Sequence, residues 1–349
     1  MSARPPLIVL GAGPVGLAAA LEARRRGRAV EVWADRLPAW ADPPSIECVP
    51  AQALALLVEL GVHPGILGVD ALFEGRRVQW ETPQPTLVSG PRVAHLGRPG
   101  LDCALLGLAE RAGVRWKAGT PVTRDALRDL DPRVAILDAT GRAAVSAARC
   151  DRPRPPLVSR LFHVGGRFPE PARAFGIAAG PSGYAYRLGN AQGLVLGVVG
   201  RGEWVRAGID AVLAGLAEVA PWMVADVPAG AVAPGRSGAA STQWAVPGAR
   251  ALLLGDAALA RDALASQGLA AGLCDAVRAA SLVSGGSESG PPKDQATLPT
   301  AHIRHVLHAV DSSPFRQSPG WREYRAFLYA VSAEPSSPVS LDQRNSNTL

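Results

Sequence analysis

At 349 residues the chain is long enough for two domains, or for one large domain carrying an insertion. Its formal charge of +6 comes from 36 basic against 30 acidic residues. Only Lys117 and Lys293 are lysine, and the arginines are scattered, so no basic stripe with interleaved aromatics marks a nucleic-acid surface. Cys48, Cys103, Cys150 and Cys274 lie far apart and form no C-x-x-C pair, the N-terminus lacks the blocks of a signal peptide, and no apolar run reaches about eighteen residues, which points to a reducing cytoplasm and no transmembrane segment.

In chain order, the first predicted strand is Leu7 to Leu10, followed by a glycine turn and a helix rich in alanine and leucine that stops at Gly27. Arg24, Arg25 and Arg26 close that helix, where cations suit the dipole. A second strand runs from Ala29 to Trp33, completing a βαβ unit. A helical pattern covers Ala51 to Gly61, short strands separated by turns occupy residues 72–93, and Leu101 to Ala112 returns to helix before a strand at Val134 to Leu137. Between Pro155 and Pro234 the texture becomes glycine-punctuated and β-like, with "AYRLGNAQGLVLGVV" the clearest hairpin candidate. Ala251 to Leu254 reads as a buried strand and Gln267 to Val283 as a helix. "SGGSESGPPKDQ" is a connector by composition, a last helical segment follows, and the Ser-, Pro- and Asn-rich tail after Ala333 reads as disordered.

The chemistry starts at "VLGAGPVGLAAA", which sets Gly11, Gly13 and Gly16 in G-x-G-x-x-G spacing between a strand and a helix. The first glycine allows the tight turn, the second lets backbone approach a pyrophosphate, and the third lets helix and strand pack closely. With Pro14 at the helix start, where free N–H groups attract an anion, these residues are the candidate dinucleotide cradle. An acid expected about twenty residues on is displaced: Ala34 stands at the usual place and Asp35 follows it, the candidate grip on the adenosine ribose.

A second Gly-Asp, in "GDAALARDALASQGL", ends another strand far along the chain. A nicotinamide dinucleotide needs one Rossmann site, whereas FAD extends away from its pyrophosphate through a ribityl chain, and an acid at a second strand tip suits those hydroxyls. Asp256 has that place. The helix opened by Gln267, Gly268 and Leu269 can turn its positive end toward the flavin pyrimidine edge, where charge gathers on reduction.

Together, "GAGPVG", "RPGLDCALLGLAERAGV", "ILDATGR" and "GDAALARDALASQGLAAGLCDAVRAA" resemble the FAD-dependent monooxygenases with the para-hydroxybenzoate hydroxylase type of fold, over roughly residues 5–283. The resemblance implies FAD as cofactor, Arg98 as a contact to its phosphates or ribityl chain, and Asp138, Thr140 and Gly141 as the strand end over the adenine half. "PSIECVPAQALALLVELGV" and the ending D-x-L-x-S-Q-G-L further resemble the halogenase-like branch, nearest to the flavoproteins that hydroxylate a peptidyl tryptophan during quinone-cofactor maturation. Glu47 matches that branch's glutamate; Ala263 stands where proline is usual and the chain is short for the group.

The resemblance implies a monooxygenase that hydroxylates an aromatic substrate, an indole or a peptidyl tryptophan included, through a flavin C4a-hydroperoxide. Electrons would come from NAD(P)H or a separate flavin reductase. Halogenases of the branch carry a relay lysine and a W-x-W-x-I-P sequence, where this chain reads "YAYRLG" and has almost no lysine. Glu47 is the candidate acid or base beside the flavin, with a helix-end or surface carboxylate as its alternative reading. Tyr184 and Tyr186, alternating on one strand face, are candidates for the substrate wall or for core packing. His302, His305 and His308 lie at i, i+3 and i+6 without a nearby carboxylate or cysteine cluster, so no metal site is expected. Flavin oxidase or dehydrogenase activity, halogenation, and an accessory FAD-binding role remain open, as does the oligomeric state.

The expected fold is α/β: a Rossmann-like FAD-binding domain (1–71, 94–154 and 235–283), an inserted β-rich substrate domain (72–93 and 155–234), a linker (284–295), a C-terminal helical segment (296–332) and a disordered tail (333–349).

Overall fold

The computed structural model describes residues 5–42, 45–67, 72–119, 121–148, 155–228, 232–239, 245, 251–285 and 298–333. Residues 286–295 of the expected connector, the expected tail after Ala333, Cys150, Trp244 and Lys293 lie outside the described residues.

A five-stranded parallel sheet holds β1 (Leu7–Leu10), β2 (Val30–Ala34), β8 (Arg115–Ala118), β9 (Ile136–Asp138) and β15 (Ala251–Leu253), in the order β15-β9-β1-β2-β8. Its central strand is apolar throughout because both faces are covered. Leu7 and Val9 pack with helices α1 (Pro14–Arg25) and α9 (Gly268–Val283), while Ile8 and Leu10 pack on the other side with Leu127 of α4 (Arg124–Arg128). Between these strands run β3 (Ile46–Pro50), α2 (Ala51–Glu59), β4 (Leu72–Phe73), β7 (Val93–Gly97) and α3 (Arg98–Arg111). Strands β3, β7 and β4 form a small antiparallel sheet at the edge of the nucleotide-type layer.

The second large sheet has seven strands in the order β14-β10-β13-β12-β11-β5-β6. These are β5 (Arg76–Gln79), β6 (Thr86–Val88), β10 (Val158–Gly165), β11 (Gly176–Gly180), β12 (Gly183–Asn190), β13 (Gly193–Gly200) and β14 (Val232–Ala239). The predicted hairpin is β12 and β13, joined by a two-residue turn in which the Asn190 side chain accepts the Gln192 N–H at 2.9 Å. Period-two alternation splits the sheet's side chains. Val195 and Val199 join Tyr184 and Leu188 under α10 (Leu298–Ser312) and α11 (Pro319–Ala333), while Leu196 and Val198 face α6 (Gly202–Arg206) and α7 (Ile209–Val219). Short helices α5 (Glu170–Arg173) and α8 (Asp256–Leu259) complete the set.

Strand pairing divides the chain differently from the expected boundaries at two places. Leu72 and Phe73 pair with β7 rather than with the seven-stranded sheet, and β14 carries that sheet to Ala239, past residue 234. In both cases a strand follows its hydrogen-bonding partner, which composition does not encode.

Candidate functional site

A cavity of about 660 Å³ opens where the two large sheets meet, within the range of about 300–1,000 Å³ usual for ligand pockets. Gly11, Gly13 and Pro14 line it from the first glycine loop, Asp35 and Arg36 from the tip of β2, and Asp256, Gln267, Gly268 and Leu269 from the second Gly-Asp region. The two strand tips, some 240 residues apart, thus face one cavity.

The first glycine loop is built by close backbone approach. A Cβ on Gly16 would lie 2.0 Å from the Gly11 carbonyl oxygen, and one on Gly11, whose φ is +93°, would lie 2.5 Å from the Ala139 carbonyl oxygen. Gly13 differs, because a Cβ there would meet nothing within 4 Å and would project into open space. Gly11 and Gly16 therefore keep the strand, the turn and α1 together, whereas Gly13 leaves room for something the chain does not supply. Gly13 has extended backbone and its side gives the helix no capping bond, so the first N–H groups of α1 remain available to an anion.

Asp35 sits exposed at the rim and accepts the Arg36 N–H at 3.0 Å. Asp138, fully buried at the end of β9, is occupied: it accepts from the Thr140 N–H and hydroxyl and from the Ser146 N–H and hydroxyl, at 2.6–2.9 Å. It shapes the turn after β9, and both of its oxygens are taken up by Thr140 and Ser146. Burial raises the Asp256 carboxyl above its ordinary range, against the pull of Arg142, Arg261 and Arg98. Arg142 Nε lies 3.9 Å from Asp256 Oδ2, and one buried guanidinium nitrogen each of Arg142 and Arg261 lacks a hydrogen-bond partner. Of these two cations Arg261 lines the cavity, while Arg142 sits beside Asp256 without lining it.

Arg98 opens α3 and is clamped between two acids. Its Nε and Nη2 donate to Asp102 at 3.1 and 3.0 Å, and Nη1 donates to Glu47 Oε1 at 3.0 Å. All three line the cavity, with Glu47 brought in by the pairing of β3 with β7. Cys48 lies beside them; burial, then the Glu47 charge, pushes its thiol up to about 12, so it stays protonated.

The far end is apolar, walled by Leu161, Phe175, Tyr186 and Leu188. Burial, then Glu47 and Asp262, raises the Tyr186 phenol, so it remains neutral. Of the two readings for Tyr184, core packing rather than substrate wall holds: it lies behind this wall, 1% exposed, in the core with Trp80 and Trp321, and its hydroxyl donates to Asp262. Both tyrosines do share a face of β12, but α11 covers the outer one. His302 does not stand in a ligand cluster; its Nε2 accepts the Asp262 N–H at 3.1 Å, and burial lowers it to about 4.

Arg142, Arg261, Asp262 and Phe175 were not singled out from the sequence. Arg142 and Asp262 stood inside quoted motifs, "ILDATGR" and D-x-L-x-S-Q-G-L, while Phe175 carries no local signal.

No family model matches the sequence, and no curated protein matches it. Solved structures do. The chain is similar to the peptidyl tryptophan dihydroxylase QhpG, essential for tryptophylquinone cofactor biogenesis, with 23% identity, a TM-score of 0.66, and 93% of this chain aligned to 79% of that one. The myxobacterial chondrochloren halogenase CndH, an FAD-dependent halogenase, gives 18% identity and a TM-score of 0.69 over 96% of this chain and 91% of the other. A flavoprotein/dehydrogenase from Cytophaga hutchinsonii gives 15% and 0.67 over 94% and 97%. The shared property at these identities is the fold: a Rossmann-like parallel sheet joined to a separate β-rich sheet, as in these flavin enzymes.

Proposed function

We propose that the chain is an FAD-dependent oxidoreductase of the monooxygenase type, which hydroxylates an aromatic group such as an indole carried by a small molecule or a peptide. One observation carries the reading: both strand tips and the N-termini of α1 and α9 line a single cavity. The residues suit the group. Gly13 leaves open space beside the α1 amides, and Arg261 on the cavity wall keeps a buried donor unspent.

On this reading Gly11, Gly13 and Pro14 hold the pyrophosphate while Gly16, off the cavity wall, keeps α1 close to the turn; Asp35 meets the adenosine ribose, and Asp256 meets the ribityl chain. Arg98 acts nearby while paired to Asp102 and Glu47. Gln267, Gly268 and Leu269 present the positive end of α9 to the pyrimidine edge of the ring. Bound there, FAD would supply the electron transfer and oxygen activation that no side chain of the site provides. Tyr186, Phe175, Leu161 and Leu188 exclude water and orient an aromatic substrate, and Glu47 holds or moves a proton at its carboxylate.

Hydroxylation is favoured over halogenation because no lysine among the described residues lines the cavity; Lys117 instead lies over the Trp33 ring, 3.7 Å from its centroid, at the far edge of the parallel sheet. The likeness to a flavoprotein/dehydrogenase supports a second reading, reaction without oxygen insertion. Among the described residues no helix is long and apolar enough to cross a membrane, and Cys48, Cys103 and Cys274 are unpaired thiols, which suits a cytoplasmic setting.

The test is direct. The purified protein should take up FAD and show its visible absorbance, and the flavin should bleach with NAD(P)H or with an added flavin reductase, which identifies the electron source. Product from aromatic small molecules and tryptophan-containing peptides should gain one oxygen atom. A colourless protein that ignores added FAD would sink the proposal, and turnover without oxygen gain would favour the dehydrogenase reading.

A further inference from the structure

We propose that Tyr324 is a positioning residue of the cavity: acting through Asp262, it ties the C-terminal helical pair to the turn that faces the flavin, making that pair a working part of the site. The assignment rests on the cavity being the flavin site.

The Asp262 carboxylate is 1% exposed and is divided between two tyrosines. Tyr184 of β12 donates to one oxygen and Tyr324 of α11 to the other, while the Leu264 N–H adds a third donor at 3.0 Å. The Asp262 N–H in turn donates to His302 of α10. Four separate stretches of chain meet on one residue. A buried carboxylate is costly to desolvate, and donors on both oxygens offset that cost only while all of them stay in place.

The turn has little else to hold it. Residues 260–267 read "ARDALASQ"; Ala260 is buried and Ala263 touches the core, but Leu264 is the one large apolar side chain that reaches it. A 3-10 turn at Ala263–Ala265 uses the Asp262 side chain as its cap, and Ser266 follows with φ +47°, directly before α9 begins. Arg261, Ala263, Ser266 and Gln267 all line the cavity. A displacement of Asp262 would therefore move both an unspent cation and the start of α9.

The helical pair is itself firmly seated. Trp321, one turn before Tyr324, is fully buried and donates to the Gly180 carbonyl at 2.7 Å, and Trp80 donates to the Ala309 carbonyl at 2.7 Å. The helices are thus anchored on β11 and β5 independently of Asp262, and Tyr324 and His302 transmit that rigidity to the turn.

Hydrogen exchange of the full-length protein without added FAD tests this, comparing wild type with Tyr324→Phe. The expected result is protection of α10 and α11 as in wild type, with the amides of residues 263–268 exchanging on the order of tenfold faster. With FAD added, the dissociation constant should rise on the order of tenfold and the visible spectrum of the bound flavin should shift. Unchanged exchange in 263–268 would overturn the proposal. If Tyr324→Phe loosens α11 as a whole, His302→Ala and His302→Gln decide instead: faster turn exchange in the first, restored in the second, supports the role, and no difference overturns it. A wild type that binds no FAD defeats the proposed cofactor, while the exchange comparison still judges Tyr324.

Discussion

The two ends of the cavity are made in different ways. The glycine-loop end is backbone: Gly11, Gly13, Gly16 and the first amides of α1, all within six residues of one another, with Ala139 pressed against the turn. The aromatic end is side chains: Glu47 from β3, Phe175 before β11, Tyr186 from β12 and Asp262 from the loop before α9. A backbone site depends on which residues lack a Cβ and is local. A side-chain site depends on four distant segments arriving together, so its chemistry can change while the first end stays the same.

The sharpest way to break this contrast lies within the glycine loop. Gly16→Ala puts a Cβ against a backbone oxygen that cannot move alone, and the expected outcome is loss of soluble folded protein, or a melting temperature lowered by roughly 10 °C or more. Gly13→Ala should melt as wild type does, yet bind FAD on the order of tenfold more weakly by titration. Equal behaviour of the two variants would mean that the loop is purely structural.

Next in size is a pH effect that belongs to the region around the aromatic end. Burial lowers both His95 and His302 from 6.5 to about 4. Between those values the unfolded chain takes up protons that the folded chain refuses, so stability is fully present above about pH 6.5 and falls as pH drops toward 4. Each histidine contributes about 3 kcal/mol to that loss. Urea unfolding across the window should show the slope less steep in His95→Gln than in wild type; His163, also lowered by burial, adds in the same sense, and the raised Asp256 and Asp275 oppose it. Identical profiles for wild type and His95→Gln from pH 6.5 to 4 would contradict the buried neutral ring of His95.

Glu47→Gln comes third. Arg98 keeps its paired contacts with Asp102, and Glu47 is 35% exposed at its side chain, so stability should change by less than about 1 kcal/mol. Turnover of an accepted aromatic substrate should fall on the order of a hundredfold if the carboxylate moves a proton, with FAD affinity nearly unchanged. A variant that loses FAD but turns over normally when saturated would shift Glu47 to the cofactor-holding set. The smallest effect is expected for Asp35→Ala: exposed at the rim and bonded to the Arg36 N–H, it should weaken FAD by no more than about threefold.

Much of this arrangement was legible from residue order. The LIVL strand followed by G-x-G-x-x-G and an alanine-rich helix announces β1 and α1 because glycine spacing and apolar runs act over a few residues. "AYRLGNAQGLVLGVV" announces β12 and β13 for the same reason. Tyr184 and Tyr186 were read as one face, correctly in register, but α11 lies over Tyr184 and leaves only Tyr186 to the cavity. No spacing rule could tell the two apart, since what separates them is a helix more than 130 residues later. Asp262 was likewise visible as a motif letter without its partners.

The order of residues alone determined that a dinucleotide-type turn exists, that a second acid ends a distant strand, and that lysine chemistry is scarce, because each of these is a property of neighbours along the chain. Only the folded molecule decided that both tips share one cavity, that Arg98 bridges Glu47 and Asp102, and that a carboxylate is held by tyrosines from two sides. Those are meetings between segments, set by strand pairing and by which apolar faces must be buried against each other.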